Sequence, residues 1–261
     1  MFGLIVVAGG LAASEDLPHY HRGKLAKYDL GPPSVLLSRK DEGRLRAGKA
    51  VMQAIVAEDG LTRRLVSVQD IPVPSSVRLP AFLPRPPPLF RRALPALLTS
   101  RAAAQVVLGR IMDFNKYPEM VSGVEGCSTY SNSLVNQETG IRSVKSTYSI
   151  KALHMGLTYY IEHTYDPQMG CMTFCLDYDK RSDLDDSVGY WFVQPDGQRS
   201  CRVFYSCECK LRGWVPPPVY NLLTKEALKK ATVWVSEESI KEWKEQRAGD
   251  ACWPLSCAAL P

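Results

Sequence analysis

The sequence lacks the short motifs that mark the common enzyme classes. It contains no Gly-x-Ser-x-Gly elbow, no phosphate-binding glycine loop and no dinucleotide-binding fingerprint. Histidine is scarce, with four residues, and the eight cysteines include no CxxC pair and no zinc-ligand spacing. We therefore expect neither a cofactor nor a metal ion, and whether the protein is an enzyme stays open, with a non-enzyme favoured.

Long hydrophobic runs are also missing. FGLIVVAGGLAA, residues 2–13, is far shorter than the about 20 residues that a membrane-spanning helix needs. It resembles the apolar part of a signal peptide but lacks the preceding basic residues. We predict an N-terminal extension over 1–37, in which 1–14 are a candidate secretory or organellar targeting segment; a buried or frayed terminus and a wrongly assigned start are the alternatives. The compartment stays open, and we expect a protein that is soluble or peripheral at a membrane.

Net charge is missing from most of the chain. The total is +5, from 32 Lys and Arg against 27 Asp and Glu. One segment, RLPAFLPRPPPLFRRALPALLTSRAAAQ at 78–105, holds five arginines and no acidic residue, so it accounts for the whole excess. Because the rest of the chain is neutral, the sequence predicts no nucleic-acid partner.

What the chain does have is enough apolar material for one globular domain, with 45% apolar and 23% charged residues. We predict a preamble to that domain over 38–64. Ser38 and Asp41 have the spacing of a helix capping box, and the apolar residues between 45 and 55 extend a helical pattern. A strand is predicted next in RRLVSVQDI, 63–71, where apolar and polar residues alternate.

From Gly123 to Leu211, apolar residues recur at every second position, as they do in half-buried strands. Turn signals such as Pro195-Asp196-Gly197 separate the successive runs. Short turns between consecutive strands make antiparallel neighbours. We predict a six-strand meander over 124–135, 141–153, 157–166, 171–180, 187–194 and 200–211.

One face of the meander is apolar and aromatic, whereas the other is polar and is expected to meet water. The first, called the inner face below, carries Val144, Tyr148, Ile150, Leu157, Tyr159, Ile161, His163, Met172, Phe174, Leu176, Tyr178, Val203, Tyr205, Cys207, Cys209 and Leu211. The second, the outer face, carries Lys145, Thr147, Lys151, Glu162, Asp177, Asp179, Arg202, Glu208 and Lys210.

A long amphipathic helix follows the meander. It begins at three prolines, 216–218, and its helical pattern continues to Gln246. Because the only large apolar surface left is the inner face, we predict that the helix covers it. The tail, 247–261, has no period and is predicted to be disordered.

Three segments together resemble the START-like (helix-grip) superfamily, and within it the polyketide cyclase/dehydrase and coenzyme Q-binding START branch. They are VSVQDIPVPSS at 66–76, VVLGRIMDFNKYPEMVSGV at 106–124 and GWVPPPVYNLLTKEALKKATVWV at 213–235. The second is the most telling, because that family follows its first strand with a helix ending in Asp-Phe and then Tyr-Pro. The resemblance implies an α+β helix-grip fold over 65–246, with a curved antiparallel seven-stranded sheet around a long C-terminal helix and two short helices after strand 1.

Residues 77–105 interrupt this resemblance. Without them, VSVQDIPVPSS continues directly into VVLGRIMDFNKYPEM, as in the family. Valine codons begin with GT and glutamine can be encoded by CAG, so Val77 to Gln105 has the boundary bases of an in-frame intron. We interpret the segment as an unspliced intron or a disordered insertion that leaves the domain after the first strand and returns at the first helix. An SH3-type ligand and a membrane-touching arm are the alternatives.

The resemblance implies a cavity between the inner face and the helix that holds a hydrophobic small molecule: a lipid, an isoprenoid or a quinone such as coenzyme Q. The expected partners are this molecule and, transiently, a membrane, and the protein is expected to be a monomer. The predicted cavity residues are Tyr148, Ile150, Tyr159, Ile161, His163, Phe174, Leu176, Tyr178, Tyr205, Leu223, Ala227 and Ala231. The predicted entrance or membrane contact consists of Tyr117, Met120, Trp214 and Val215.

Two other functions remain open at this point. His163 is the candidate acid or base of a polyketide cyclase/dehydratase-like enzyme, against the simpler interpretation of a hydrogen-bonded interior histidine. A surface interaction module without a ligand is the third function. The acidic stretch DYDKRSDLDD, 177–186, is interpreted as a solvated hairpin rather than a calcium loop.

Overall fold

The computed structural model describes residues 13–56, 63–72, 104–152, 155–196, 200–212 and 217–251. The chain first forms helix α1 and two strands, then two further helices joined by a 3-10 turn, then six strands and a last helix. The elements are α1 (Arg39–Arg46), β1 (Val51–Val56), β2 (Arg63–Ile71), α2 (residues 104–112), the 3-10 turn (Phe114–Lys116), α3 (Tyr117–Met120), β3 (Val124–Leu134), β4 (Arg142–Ala152), β5 (Met155–Asp166), β6 (Cys171–Leu176), β7 (Leu184–Asp196), β8 (Ser200–Leu211) and α4 (Pro217–Ala251).

All eight strands form one antiparallel sheet in the order β1-β2-β8-β7-β6-β5-β4-β3. Consecutive strands pair from β3 to β8, and β2 closes onto β8. Helix α4 lies against β2 and β8. The predicted α+β helix-grip fold is confirmed, with eight strands instead of the predicted seven.

The additional strand comes from a stretch that the sequence pattern assigned to a helix. The capping box at Ser38 forms as predicted, and α1 ends after Arg46. Gly48 then adopts φ +71°, a left-handed conformation that glycine enters without steric cost. The β-branched residues that follow pair with β2, where Val51 lies opposite Val68. The predicted helix over Val51 and Ile55 is therefore wrong.

The six strands of the meander lie close to their predicted positions. The largest differences are at β6, which ends at Leu176, and β7, which begins at Leu184. Helix α4 continues to Ala251, beyond the predicted end at Gln246, so the prediction of a disordered tail is wrong for residues 247–251. The remaining tail lies outside the described residues. No helix in the described part of the chain is long and apolar enough to cross a membrane.

The inner face packs against α4 and the short helices. On α4, Val235 is fully buried, Trp234 is 7% exposed, and both belong to one core cluster with Val203 of β8. The Ser67 hydroxyl of β2 lies 3.5 Å from that of Thr232 on α4. Helix α4 therefore covers β2 and β8. The 3-10 turn and α3 cover another part of the sheet, because Phe114 and Tyr117 contact Tyr148 of β4.

The outer face differs from the prediction on the strands that the N-terminal segment covers. We expected it to meet water, but the N-terminal segment, residues 13–46, packs on it over β2, β8, β7 and β6. Tyr28 stacks on Tyr190 with ring centroids 5.4 Å apart, and Leu45 is 1% exposed in a second core with Phe192 and Phe204. These aromatic residues of β7 and β8 were the sequence signal for this second layer.

The acidic stretch between β6 and β7 holds the N-terminal segment in place. Asp186 is fully buried and accepts hydrogen bonds from the backbone N–H groups of Lys24 and Leu25 and from the Tyr178 hydroxyl. Burial raises the pKa of this carboxyl, but these hydrogen bonds outweigh burial and lower it overall. The prediction of a solvated hairpin is wrong for this residue.

The segment 77–105 is described only at its end. Ala104 and Gln105 are part of α2, and Ala104 is 7% exposed within the core cluster. The prediction of irregular chain up to Gln105 is therefore wrong for these two residues. The rest of the segment, residues 77–103, lies outside the described residues, and its interpretation as an intron or insertion stays a prediction.

Candidate functional site

The strand register brings most of the predicted cavity residues together on the inner face. Tyr148 of β4 lies opposite Tyr159 of β5, and His163 of β5 lies opposite Phe174 of β6. Farther along the sheet, Trp191 of β7 lies opposite Tyr205 of β8. The other predicted cavity residues of β4, β5 and β6 on this face are Ile150, Ile161 and Leu176.

Aromatic rings form much of this surface. The Tyr148 and Tyr159 rings are stacked, with centroids 5.3 Å apart and planes 2° apart. Trp191 and Tyr205 are closer, with centroids 4.0 Å apart, and Trp191 also meets the α4 residue Trp234 edge-on at 6.2 Å. Rings held in this way present broad apolar surface at little further cost in conformational entropy.

Several inner-face side chains are only half-buried, although their surroundings are protein. Tyr159 and Tyr205 keep accessible surface, as do Phe174, Cys207 and Cys209. Yet burial raises the pKa of both tyrosines well above its usual value. The surroundings of both hydroxyls therefore disfavour the charged phenolate, although part of each side chain stays accessible.

His163 has hydrogen-bond partners at both ring nitrogens. Its Nδ1 lies 3.1 Å from the Val144 carbonyl oxygen, and its Nε2 lies 3.2 Å from the Tyr148 hydroxyl. Because the carbonyl can only accept, Nδ1 carries the proton, and Nε2 accepts from the tyrosine. The ring also stacks on Phe114 at 4.3 Å and is 3% exposed. Burial lowers its pKa to about 4, so His163 is neutral near pH 7.

We expect His163 to make the folding stability depend on pH. Its pKa rises on unfolding from about 4 to its ordinary value of 6.5, so the stability is complete above pH 6.5 and decreases as the pH falls toward 4. Between pH 6.5 and 5 the loss should be about 2 kcal/mol. Urea unfolding of the wild type and of His163→Gln measures it, and the variant should show a flatter pH dependence.

The control for this experiment is His19, the other buried histidine in the described residues, whose pKa burial also lowers. His19→Gln should remove a separate part of the slope, and the double variant should be flatter than either single one. Equal slopes for the wild type and His163→Gln would show that His163 takes up protons equally well in both states.

Two predicted site residues, Tyr178 and Tyr117, differ in position or setting from the prediction. Tyr178 follows the end of β6 and turns to the outer face, where its ring meets His19 at 6.0 Å. The alternation that placed it inside stops at Leu176, so Tyr178 is not a cavity residue. Tyr117 is 7% exposed, its hydroxyl donates to the Ile111 carbonyl, and its ring contacts Trp234. It is an interior residue rather than an exposed entrance, whereas Met120 is partly buried at the end of α3.

Part of the predicted site cannot be placed. Trp214 and Val215 lie outside the described residues, as do the side chains of Leu223 and Ala227. Ala231 is described: it is partly buried and packs against the core cluster from α4. Phe114 and Trp191 were missed in the sequence analysis, although Trp191 falls on the inner face by the same alternation.

Comparisons with known proteins concern the fold. No protein-family model matches the sequence, and no curated protein matches it. Solved structures that are similar include a START superfamily protein from Mycobacterium smegmatis, with a TM-score of 0.49 and 12% identity over 68% of this chain and 97% of that one. Human STARD10 has a TM-score of 0.49 and 13% identity over 83% and 86% of the two chains. The Zhui aromatase/cyclase from Streptomyces sp. R1128 has a TM-score of 0.44 and 10% identity over 76% and 96%.

Similarity at these identities and scores does not carry an activity or a ligand from those proteins to this chain. The helix-grip fold follows from the arrangement of the sheet and α4 described above.

Proposed function

We propose that the protein binds or carries a hydrophobic small molecule between the inner face and α4. A lipid, an isoprenoid or a quinone such as coenzyme Q has the required chemistry. The observation that carries this proposal is the row of aromatic inner-face side chains that are only partly buried, at Tyr159, Phe174 and Tyr205. An apolar surface gains about 25 cal/mol for each square ångström that a ligand covers.

Polar groups on the same surface would orient the ligand. Tyr159 and Tyr205 lie on the face that the ligand would contact, and a phenol hydroxyl can both donate and accept a hydrogen bond. His163 is a weaker candidate, because Tyr148 and Val144 already occupy its nitrogens. This also counts against the cyclase or dehydratase alternative, in which His163 would have to exchange a proton with a substrate.

Entry would take place near Met120 and the start of α4. Trp214 and Val215 belong to this proposal as the membrane contact during transfer, on the strength of the sequence alone. The Tyr117 ring lies between Trp234 and Tyr148 and would have to move, or would form the inner end of the passage.

The test is whether the purified protein carries an apolar molecule. Native mass spectrometry followed by organic extraction should show a co-purified lipid, isoprenoid or quinone. Ala231→Trp, which adds a large ring on the α4 side that faces the core, should reduce the bound fraction about tenfold, because the ring would occupy space that the ligand needs. A tenfold loss corresponds to about 1.4 kcal/mol of binding free energy. The matched control is Val233→Trp, because Val233 is 42% exposed on the same helix.

Three outcomes would contradict the proposal. A protein that never carries an apolar molecule, even after incubation with lipid vesicles, would favour a surface interaction module. Equal loading of the two tryptophan variants would place the ligand elsewhere. Turnover of a polyketide-like substrate that disappears in His163→Gln would favour the enzyme.

A further inference from the structure

Two thiols lie side by side on the inner face of β8. Cys207 and Cys209 are separated by one residue, so the strand alternation points both in the same direction. Their Sγ atoms are 3.7 Å apart, and neither is in a disulfide. The Ser187 hydroxyl of β7 is 3.3 Å from the Cys209 Sγ. The three side chains are therefore a compact group of two sulfur atoms and one oxygen atom.

The spacing of these atoms fits one edge of a tetrahedral metal site. Two Zn–S bonds of about 2.3 Å, meeting at the tetrahedral angle, place their sulfurs about 3.8 Å apart. A Zn–O bond of about 2.0 Å places the oxygen about 3.5 Å from each sulfur. The observed separations of 3.7 Å and 3.3 Å are close to both values. A disulfide, by contrast, requires about 2.05 Å between the sulfurs.

The surroundings favour a metal that two thiolates can neutralise. Cys207 and Cys209 are half-buried and Ser187 is buried on an otherwise apolar face, where an uncompensated charge costs several kcal/mol. A divalent ion and two thiolates together form a complex with no net charge. An apolar face accommodates such a neutral complex at a lower cost than a charged group. Sulfur ligands also select soft ions over Mg²⁺ and Ca²⁺.

We propose that Cys207, Cys209 and Ser187 form a binding site for one soft divalent d¹⁰ metal ion, such as Zn²⁺ or Cd²⁺. The site uses a hydroxyl as its third ligand, and in the described part of the chain no three His, Cys, Asp or Glu side chains are grouped to hold a metal. The inference goes beyond ligand binding and does not depend on it.

Cd²⁺ titration of the full reduced chain tests this site, because thiolate–Cd²⁺ bonds absorb in the near ultraviolet. The titration uses a background in which Cys252→Ser and Cys257→Ser remove the two cysteines outside the described residues. We expect saturation at one ion per chain. Cys207→Ser and Cys209→Ser should each weaken binding at least about 100-fold, and Ser187→Ala about tenfold.

Cys127→Ser is the matched control. Cys127 lies on the inner face at the other end of the sheet, opposite Tyr148, and this variant should bind Cd²⁺ as the background does. A background chain that shows no charge-transfer band, or two β8 variants that titrate like Cys127→Ser, would overturn the proposal.

A second measurement needs no β8 variant and so remains valid if those variants fail to fold. In the background chain, bound Cd²⁺ should protect Cys207 and Cys209 from alkylation, as located by peptide mass spectrometry, and should leave the alkylation of Cys127 unchanged. Uniform protection of every cysteine, or none, would contradict the assignment. If Cd²⁺ protects Cys207 and Cys209 in a chain that carries no apolar molecule, the metal site is supported and the proposed function is contradicted.

Discussion

Replacement of Gly189 by alanine is expected to lower the free energy of unfolding by about 3 kcal/mol or more. Gly189 lies in the middle of β7, and the Phe174 ring of β6 occupies the position where a side chain would be. A Cβ at Gly189 would lie 2.2 Å from the ring and 2.5 Å from the Ser206 carbonyl oxygen. The ring can rotate away, but the carbonyl belongs to the β7–β8 ladder and cannot. Urea unfolding measures the loss.

Gly109→Ala is the matched control for this prediction, because a Cβ at Gly109 meets no atom within 4 Å and the residue lies in α2. It should leave the protein as stable or stabilise it by about 0.5–1 kcal/mol. Adding Phe174→Leu to Gly189→Ala should restore only part of the stability, since the carbonyl contact remains. A Gly189→Ala protein as stable as Gly109→Ala would show that β7 and β8 can separate without loss of pairing.

Replacement of Arg202 by alanine is expected to cost about 3 kcal/mol. The Arg202 guanidinium on the outer face of β8 binds the Asp70 carboxylate of β2 at 2.7 and 3.0 Å. It also binds the Glu42 carboxylate of α1 at 2.8 and 3.0 Å. Its side chain is 15% exposed, so solvent screens these pairs little. These hydrogen bonds raise the pKa of Arg202 and lower that of Glu42. Without Arg202, two carboxylates face each other with no cation between them.

Arg22→Ala supplies the comparison, because Arg22 pairs with Asp179 in an ion pair that is 78% and 63% exposed. A pair of this kind contributes at most about 1 kcal/mol. Arg202→Lys should fall between the two, since lysine keeps the charge but cannot bind two carboxylates with a planar group. If the two alanine variants unfold at the same urea concentration, the attachment of α1 to the sheet does not depend on Arg202.

The alternation of apolar and polar residues predicted the meander because a strand places every second side chain on the same face. That rule is local, so Tyr148, Tyr159 and Phe174 could be placed on the inner face from the sequence. It failed at Tyr178, where β6 ends and the rule no longer applies. It also could not separate a helix from a strand at Val51, because the strand there is defined by its pairing with β2.

The two faces of the sheet show the same limit more clearly. The polar residues of the outer face predicted that this face contacts solvent. Yet Arg202 binds α1, and Asp186 binds the part of the N-terminal segment that precedes α1. A sequence pattern records the polarity of a side chain, whereas burial depends on which distant segment supplies its partners. The partners of Asp186 at Lys24 and Leu25 are more than 150 residues away in the chain.

The sequence alone determined the order of the elements, the inner-face side chains of the meander and the long covering helix, because each depends on the local period of the chain. Only the tertiary structure decided that residues 13–46 form a second layer, and that burial keeps His163 neutral while Tyr148 and Val144 hydrogen-bond its ring. It also decided how close Cys207, Cys209 and Ser187 lie to one another. Those features depend on pairing across strands and on distances between atoms from remote segments, which no local pattern contains.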